Sequence, residues 1–143
     1  MVKYILTTLI PWIELRGAIP YAVKNNDLVA IPFIILTNIL IFFPVYFGLE
    51  MFYVRLSKRA WLKKRLGKIR KKARPYVERY GLPGLMLFVM IPLPGTGAYS
   101  GSAAAWLLGL KWKPSFGAIF GGVVFAGFLV FLLSVGFFNG FSL

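Results

Sequence analysis

The sequence predicts an all-α integral membrane protein. It reads as two transmembrane helices, two opposed re-entrant helical hairpins and one cytoplasmic amphipathic helix, arranged as an inverted-topology repeat. Three observations lead there. First, 59% of the 143 residues are hydrophobic and the mean hydropathy is +0.75, outside the range of a soluble domain. Second, two hydrophobic stretches are interrupted near their middles, where a bilayer centre would fall. Third, twelve of the seventeen Lys and Arg residues lie between Arg55 and Arg79, and such clusters mark the cytoplasmic flank of a span.

The elements follow in chain order. Residues 4–13 and 18–23 are apolar arms around Glu14-Leu15-Arg16-Gly17, and a half-crossing needs about ten residues. Pro20 falls early in the return arm, where a first helical turn tolerates proline. Lys24-Asn25-Asn26-Asp27 is a polar turn at a membrane surface. Residues 28–49 carry no charge and are long enough to span, with Pro32 and Pro44 as expected kinks. Asn38, near the middle, is either a substrate contact or an interhelical hydrogen-bonding group.

The basic segment comes next. Leu62, Leu66, Ile69, Ala73, Tyr76 and Tyr80 alternate at spacings of four and three, which puts one apolar stripe on an otherwise cationic helix. Such a helix lies in the cytoplasmic interface with Trp61 as an anchor, and Pro75 is expected to end or bend it. The second broken stretch, residues 80–110, is uncharged and interrupted by Pro92-Leu93-Pro94-Gly95-Thr96-Gly97. Its return arm sets Gly97, Gly101, Ala105 and Gly109 four apart, a face of small residues suited to close helix packing. After Lys111 and Lys113, residues 114–143 form the second span, with Gly117 and Gly121 as a packing face.

Charge then sets topology. Residues 55–79 and 111–113 are placed on the cytoplasmic side of the plasma membrane. The hairpins therefore enter from opposite faces and both termini lie outside. The chain is one membrane domain, with half-repeats 1–54 and 80–143 flanking the basic helix 55–79. An Ile-Pro precedes each break and a Gly-Ala follows it.

Composition also excludes. Without cysteine or histidine there are no disulfides, thiolate metal sites or imidazole bases, and no cofactor or metal is implied. Only Glu14, Asp27, Glu50 and Glu78 are acidic, a poor supply for an enzyme that needs a nucleophile, a base and an oxyanion donor. The net charge of +13 is concentrated beside the spans and accompanies no nucleic-acid motif, so membrane lipids are the expected partners. A cleaved signal does not fit, since Glu14 and Arg16 fall where small residues should stand.

Glu14 and Arg16 are the only charges in either broken segment. Charges deep in a bilayer are costly and face a cavity or a partner. The second tip offers Pro92, Pro94, Gly95 and Gly97, with Thr96 and Ser100 as candidate caps of a helix whose free N–H groups attract anions. Glycine there lets a ligand approach the backbone. If the tips meet, Glu14, Arg16, Gly17, Pro20 and Asn38 form a substrate and proton site with Pro92, Pro94, Gly95, Thr96, Gly97 and Ser100. The structural alternative is a Glu14–Arg16 pair that only holds the hairpins together.

The string Pro11-Trp12-Ile13-Glu14-Leu15-Arg16-Gly17-Ala18-Ile19-Pro20, with the break at residues 92–97, resembles the family of putative small multidrug export proteins over most of the chain. More distantly, the hairpin-plus-span layout is similar to the DedA superfamily. That likeness implies re-entrant hairpins with essential acidic and arginine residues, and in some members flipping of polyprenyl phosphates. Glu14 and Arg16 match the charged pair, and residues 92–97 the second re-entrant tip. The chain is shorter than DedA proteins and lacks their usual arginine at the second tip.

The function expected is proton-linked translocation of an anionic amphiphile such as a lipid (polyprenyl) phosphate, held by Arg16 and the tip amides while Glu14 exchanges a proton. One alternative is a small multidrug exporter of cationic hydrophobic compounds, with Glu14 as the binding carboxylate. Another is a non-transporting membrane scaffold. Two spans are few to enclose a polar path, so a homo-oligomer, most simply a two-fold dimer, is expected.

Overall fold

The computed structural model describes residues 1–56, 58–91 and 96–140. Among these, seven helices run in order: α1 (Val2–Thr8), α2 (Glu14–Lys24), α3 (Ala30–Leu40), α4 (Phe42–Leu56), α5 (Ala60–Met90), α6 (Ala98–Leu107) and α7 (Trp112–Gly140). No strand occurs among the described residues.

The first hairpin is α1 turning back onto α2. The sequence placed its break at residues 14–17, but the break lies at 9–13 and Glu14 opens α2. Pro11 has no N–H with which to extend α1. Helical bonding resumes beyond it, with Glu14 N–H donating to Ile10 O at 3.0 Å and Gly17 N–H to Ile13 O at 3.1 Å. Pro20 is a second correction: it is the seventh residue of α2 rather than part of its first turn. It therefore withholds the N–H that the Arg16 carbonyl would accept. At seven and eleven residues, these arms extend about 10 and 16 Å, well short of a roughly 30 Å hydrocarbon core.

Both hairpins end in the same backbone motif. Asn26 adopts φ 56° and donates to Val23 O, while Asp27 N–H donates to Ala22 O, each at 3.0 Å. In α6, Gly109 adopts φ 72° and donates to Trp106 O, while Leu110 N–H donates to Ala105 O, each at 3.0 Å. These 5→2 and 6→1 pairs satisfy carbonyls that a helix end would otherwise strand.

Two helices are long and apolar enough to cross a membrane: Ala30–Leu56, with 27 residues and mean hydropathy 2.1, and Trp112–Gly140, with 29 residues and mean hydropathy 2.5. The first combines α3 and α4 across an irregular residue, Ile41. Pro44 explains that irregularity, since its missing N–H leaves the Leu40 carbonyl without a ladder partner. Pro32 is the third residue of α3, where proline breaks no helical bond. Only 33% and 39% of the two apolar windows are buried, and Phe125, Phe128, Leu132 and Leu133 point outward. Water would oppose so much exposed apolar surface, whereas lipid accepts it. The chain is a membrane protein.

In α5 the expected stop at Pro75 does not occur, and the helix continues to Met90. Pro75 is exposed, where the carbonyl it strands can be solvated. The break falls instead at Gly81, with φ 24° and ψ −115°, and Pro83 sits in the first turn of the arm that follows. The basic segment and the outgoing arm of the second hairpin are thus one kinked helix. Along its stripe Leu66 is buried and Leu62 half-buried, while Ile69 and Tyr80 are exposed. The side chains of Ala73 and Tyr76 lie outside the described residues.

The core forms around α7, which α5, α2, α6 and α3 all contact. Ile19, Ile34, Phe42, Val89, Ile119 and Val123 are its large, nearly inaccessible side chains. The glycine face of α7 is only in part where the sequence put it. Of the pair the sequence named, Gly117 has open space around it while a β-carbon at Gly121 would lie 3.1 Å from Met86 Cε; the tightest positions are Gly122, 2.9 Å from Val89 Cβ, and Gly127, 2.9 Å from Ile35 Cδ1. Ile119, Val123, Ala126 and Val130 recur on the buried side of α7, and Gly117 lies off that stripe. On α6, Gly101 does pack closely, against Val89 and Ile119.

Candidate functional site

The turn before α2 and the start of α6 come together, joining two segments more than eighty residues apart. Glu14 is 3% exposed and has φ 46°, an uncommon value for a non-glycine residue. Its carboxylate reaches the N-terminus of α6. Ala98 N–H donates to Oε2 at 3.3 Å and Tyr99 N–H donates to Oε1 at 3.2 Å. Glu14 is also in the first turn of its own helix. The carboxylate thus lies at the positive ends of two helix dipoles.

Arg16 completes the cluster. Its Nη1 is 3.6 Å from Glu14 Oε2, and its Nη2 donates to Ile91 O at 2.8 Å and to Thr96 Oγ1 at 2.7 Å. The Thr96 hydroxyl in turn donates to Ile91 O at 2.7 Å. The tips are tied once more by Tyr99, whose hydroxyl donates to Leu9 O at 2.7 Å. Glu14 and Arg16 were expected to bracket a site from a non-helical tip. They do so from the first helical turn, because positive φ at Glu14 swings its side chain out of helical register.

Gly97 permits the contact. It caps α6 with φ 147° and ψ −162°, a region open in practice only to glycine. A β-carbon there would collide with Glu14 Oε2 and lie 2.8 Å from Arg16 Nη1. The candidate caps Thr96 and Ser100 do not cap α6, which has no side-chain cap of its own. Thr96 holds Arg16, and Ser100 Oγ donates to Gly97 O at 3.4 Å. The cap comes in trans from Glu14, since a carboxylate satisfies two free N–H groups where a hydroxyl satisfies one.

Asn38 is fully buried and lies within hydrogen-bonding reach of the Glu14 carboxylate. Yet among the described residues neither its Nδ2 nor its Oδ1 has a hydrogen bond of standard geometry. The interhelical partner within its reach is Glu14 on α2, at a geometry looser than a standard hydrogen bond. Arg16 Nε is likewise buried without a partner. Buried polar atoms without partners cost about 1–3 kcal/mol each and need an explanation.

The remaining candidates separate. Gly17 adjoins the site, but its bare α-carbon accommodates the Ile13 side chain, a packing role. Pro20 lies further along α2. Pro92, Pro94 and Gly95 fall outside the described residues. Sequence reasoning anticipated free amides at the start of this helix, which are those of Ala98 and Tyr99, but missed the Ile91 carbonyl and the Tyr99 hydroxyl. Only Tyr99 left a signal, a large polar side chain among the small residues that follow the break. Glu14 is the chain's one buried acid: Glu50 is exposed and accepts from Trp106 Nε1 at 2.6 Å, and Glu78 pairs with Arg74 at 2.9 Å on the surface.

A helical membrane protein whose two broken hairpins share one buried, charged contact is the class that fold and site define. The chain belongs to the family described as putative small multi-drug export protein, which it matches over residues 14–129. The match opens at Glu14, leaving α1 and Leu9 outside it, and includes the Glu14 and Arg16 contacts to the second hairpin and both spans up to the last turns of α7. No curated protein and no solved structure gives a significant match.

Proposed function

We propose that the chain is a transporter that moves an anionic amphiphile, such as a lipid phosphate, in exchange for the protonation state of Glu14. One observation carries the reading: the Glu14 carboxylate occupies the place an anion would take, on the Ala98 and Tyr99 amides beside Arg16. Glu14 acts there as an internal competitor. Protonation weakens its hold on α6 and on Arg16, and the amides and guanidinium then bind the headgroup. Deprotonation restores the carboxylate and expels the substrate. Asn38, buried beside the carboxylate, gives a protonated Glu14 an acceptor for its O–H.

In this reading both hairpins are re-entrant, entering from opposite faces as halves of an inverted repeat. The short arms and the matching ends of α2 and α6 support that, as does the likeness in layout to the DedA superfamily. Residues 55–79 face the cytoplasm, both termini lie outside, and two copies enclose the path.

The family description favours a second reading, export of cationic hydrophobic compounds, with Glu14 binding the cation. The two part at Arg16. In proteoliposomes, Arg16→Gln should abolish transport of a lipid phosphate and spare or improve that of a cationic dye if the second reading holds. Glu14→Gln should leave anion exchange but remove its drive by a proton gradient, because the amide mimics the protonated acid and cannot release. Loss of cation transport alone in Glu14→Gln would reject the anion reading. Indifference of both assays to both variants would favour a scaffold.

A further inference from the structure

The basic half of α5 carries a second feature, remote from the hairpin contact and independent of the transport reading. Leu66 packs toward the C-terminal ends of α4 and α6, leaving an apolar groove of ≈ 280 Å³ walled by Phe52, Tyr53, Leu62, Leu66 and Trp106, with Arg65 on its edge. An open surface depression of ≈ 540 Å³ adjoins it along the exposed face of α5, lined by Arg65, Lys68, Ile69, Lys71 and Lys72. Arg65 and Ile69 belong to both, so the apolar and the cationic spaces share a wall.

We infer that this groove and depression together bind one phosphate-bearing membrane lipid, with part of an acyl chain in the groove and the phosphate on Arg65 and Lys68. The groove is slightly smaller than common ligand pockets, which suits a segment of chain rather than a whole ligand. Among the described residues the only ion pair in this segment is Arg74–Glu78, so Arg65 and Lys68 have no carboxylate against them. Arg65 lies 5.3 Å over the Trp61 ring, which is 64% exposed. A stacked guanidinium keeps its fork free for phosphate, and an exposed tryptophan suits headgroup depth. Leu49 and Phe52 place the groove at the end of a spanning helix, where a lipid is at hand. Diffuse attraction would weigh every surface cation alike. A site requires the apolar wall, and Arg65 is the cation that joins that wall to the basic depression.

The test uses the full chain in phosphatidylcholine nanodiscs, with Trp12 and Trp112 changed to Phe and Trp61 to Tyr, which keeps a polar-edged ring under Arg65, so that Trp106, excited selectively, reports alone. Lipids with brominated chains quench a nearby indole. Brominated phosphatidylglycerol should reach half-quenching at a lower mole fraction than brominated phosphatidylcholine. Two basic groups supply a preference of roughly 30-fold at most. Arg65→Ala with Lys68→Ala should abolish that preference and Arg65→Lys should keep part of it. Lys58→Ala with Lys63→Ala, which removes the same charge away from both the groove and the depression, should leave it intact. All four positions are exposed, and unchanged helical circular dichroism confirms that each variant folds. Equal quenching by the two lipids, or equal losses in the two double variants, overturns the site in favour of bulk solvation or diffuse charge. Absence of quenching by either lipid means that a second copy covers the groove. Loss of the preference in millimolar inorganic phosphate means an anion site without lipid. Each of these outcomes refutes the inference.

Discussion

Replacing Gly97 with alanine tests the contact between the hairpins at the point where geometry leaves least freedom. Two costs combine. Holding a non-glycine residue at φ 147° and ψ −162° costs about 1–3 kcal/mol. The new methyl also occupies the space of Glu14 Oε2, which breaks the two bonds from Ala98 and Tyr99. Bonds to a charged group contribute about 1.5–3 kcal/mol each. The sum is at least about 4 kcal/mol, a large share of a typical stability of 5–15 kcal/mol. At about 3 °C per kcal/mol for a chain of this size, the detergent-solubilised protein should melt about 12 °C lower. Gly48→Ala is the internal control: Gly48 lies within α4 with nothing around it, and alanine there should gain about 0.5–1 kcal/mol. The assay is thermal unfolding followed by tryptophan fluorescence on both variants. A Gly97→Ala melting point within about 2 °C of the parent would show that Glu14 does not cap α6, and the proposed mechanism would fall with it.

Three further outcomes are expected. Asn38→Leu removes a buried carboxamide that faces Glu14 without a hydrogen bond of standard geometry, so it should change stability by no more than about 1 kcal/mol while reducing transport; a clearly lower melting point with transport intact would make Asn38 a structural residue. Arg70 donates to Leu107 O at 3.2 Å and to Trp106 O at 3.0 Å, so Arg70→Ala should cost about 2 kcal/mol and speed amide hydrogen exchange over residues 105–110, with unchanged exchange counting against it. Gly122→Ala should cost about 1–3 kcal/mol of packing strain where α7 meets α5, whereas Gly117→Ala should be neutral or mildly stabilising; equal melting points for the two would refute the packing face assigned to α7.

Much of the fold was legible because it is a property of neighbours along the chain. The uncharged run of residues 28–49 announced a span, and the charge-free residues 114–143 another. Where proline entered, however, the sequence marked a disturbance and not its place. Pro11 ended α1, so the first break falls before Glu14, whereas Pro75 on an exposed face ended nothing and Gly81 made the kink. Burial and solvation of the stranded carbonyl decide such cases, and both depend on what packs nearby. Glycine behaved alike: Gly101 and Gly121 are packed and Gly117 is not, although a four-residue spacing treats them equally.

The amino-acid sequence alone determined the solvent this protein lives in, which segment of it carries the positive charge, and which acid and base stand in an apolar setting. Those follow from transfer free energies summed over residues close in the chain. Only the tertiary structure decided what Glu14 and Arg16 do. Their partners, Ala98, Tyr99, Ile91 and Thr96, are backbone amides, a carbonyl and a hydroxyl 75 to 85 residues away. The break at residues 92–97 announced free amides at a helix start, but that they receive Glu14 itself is decided by how α2 and α6 pack.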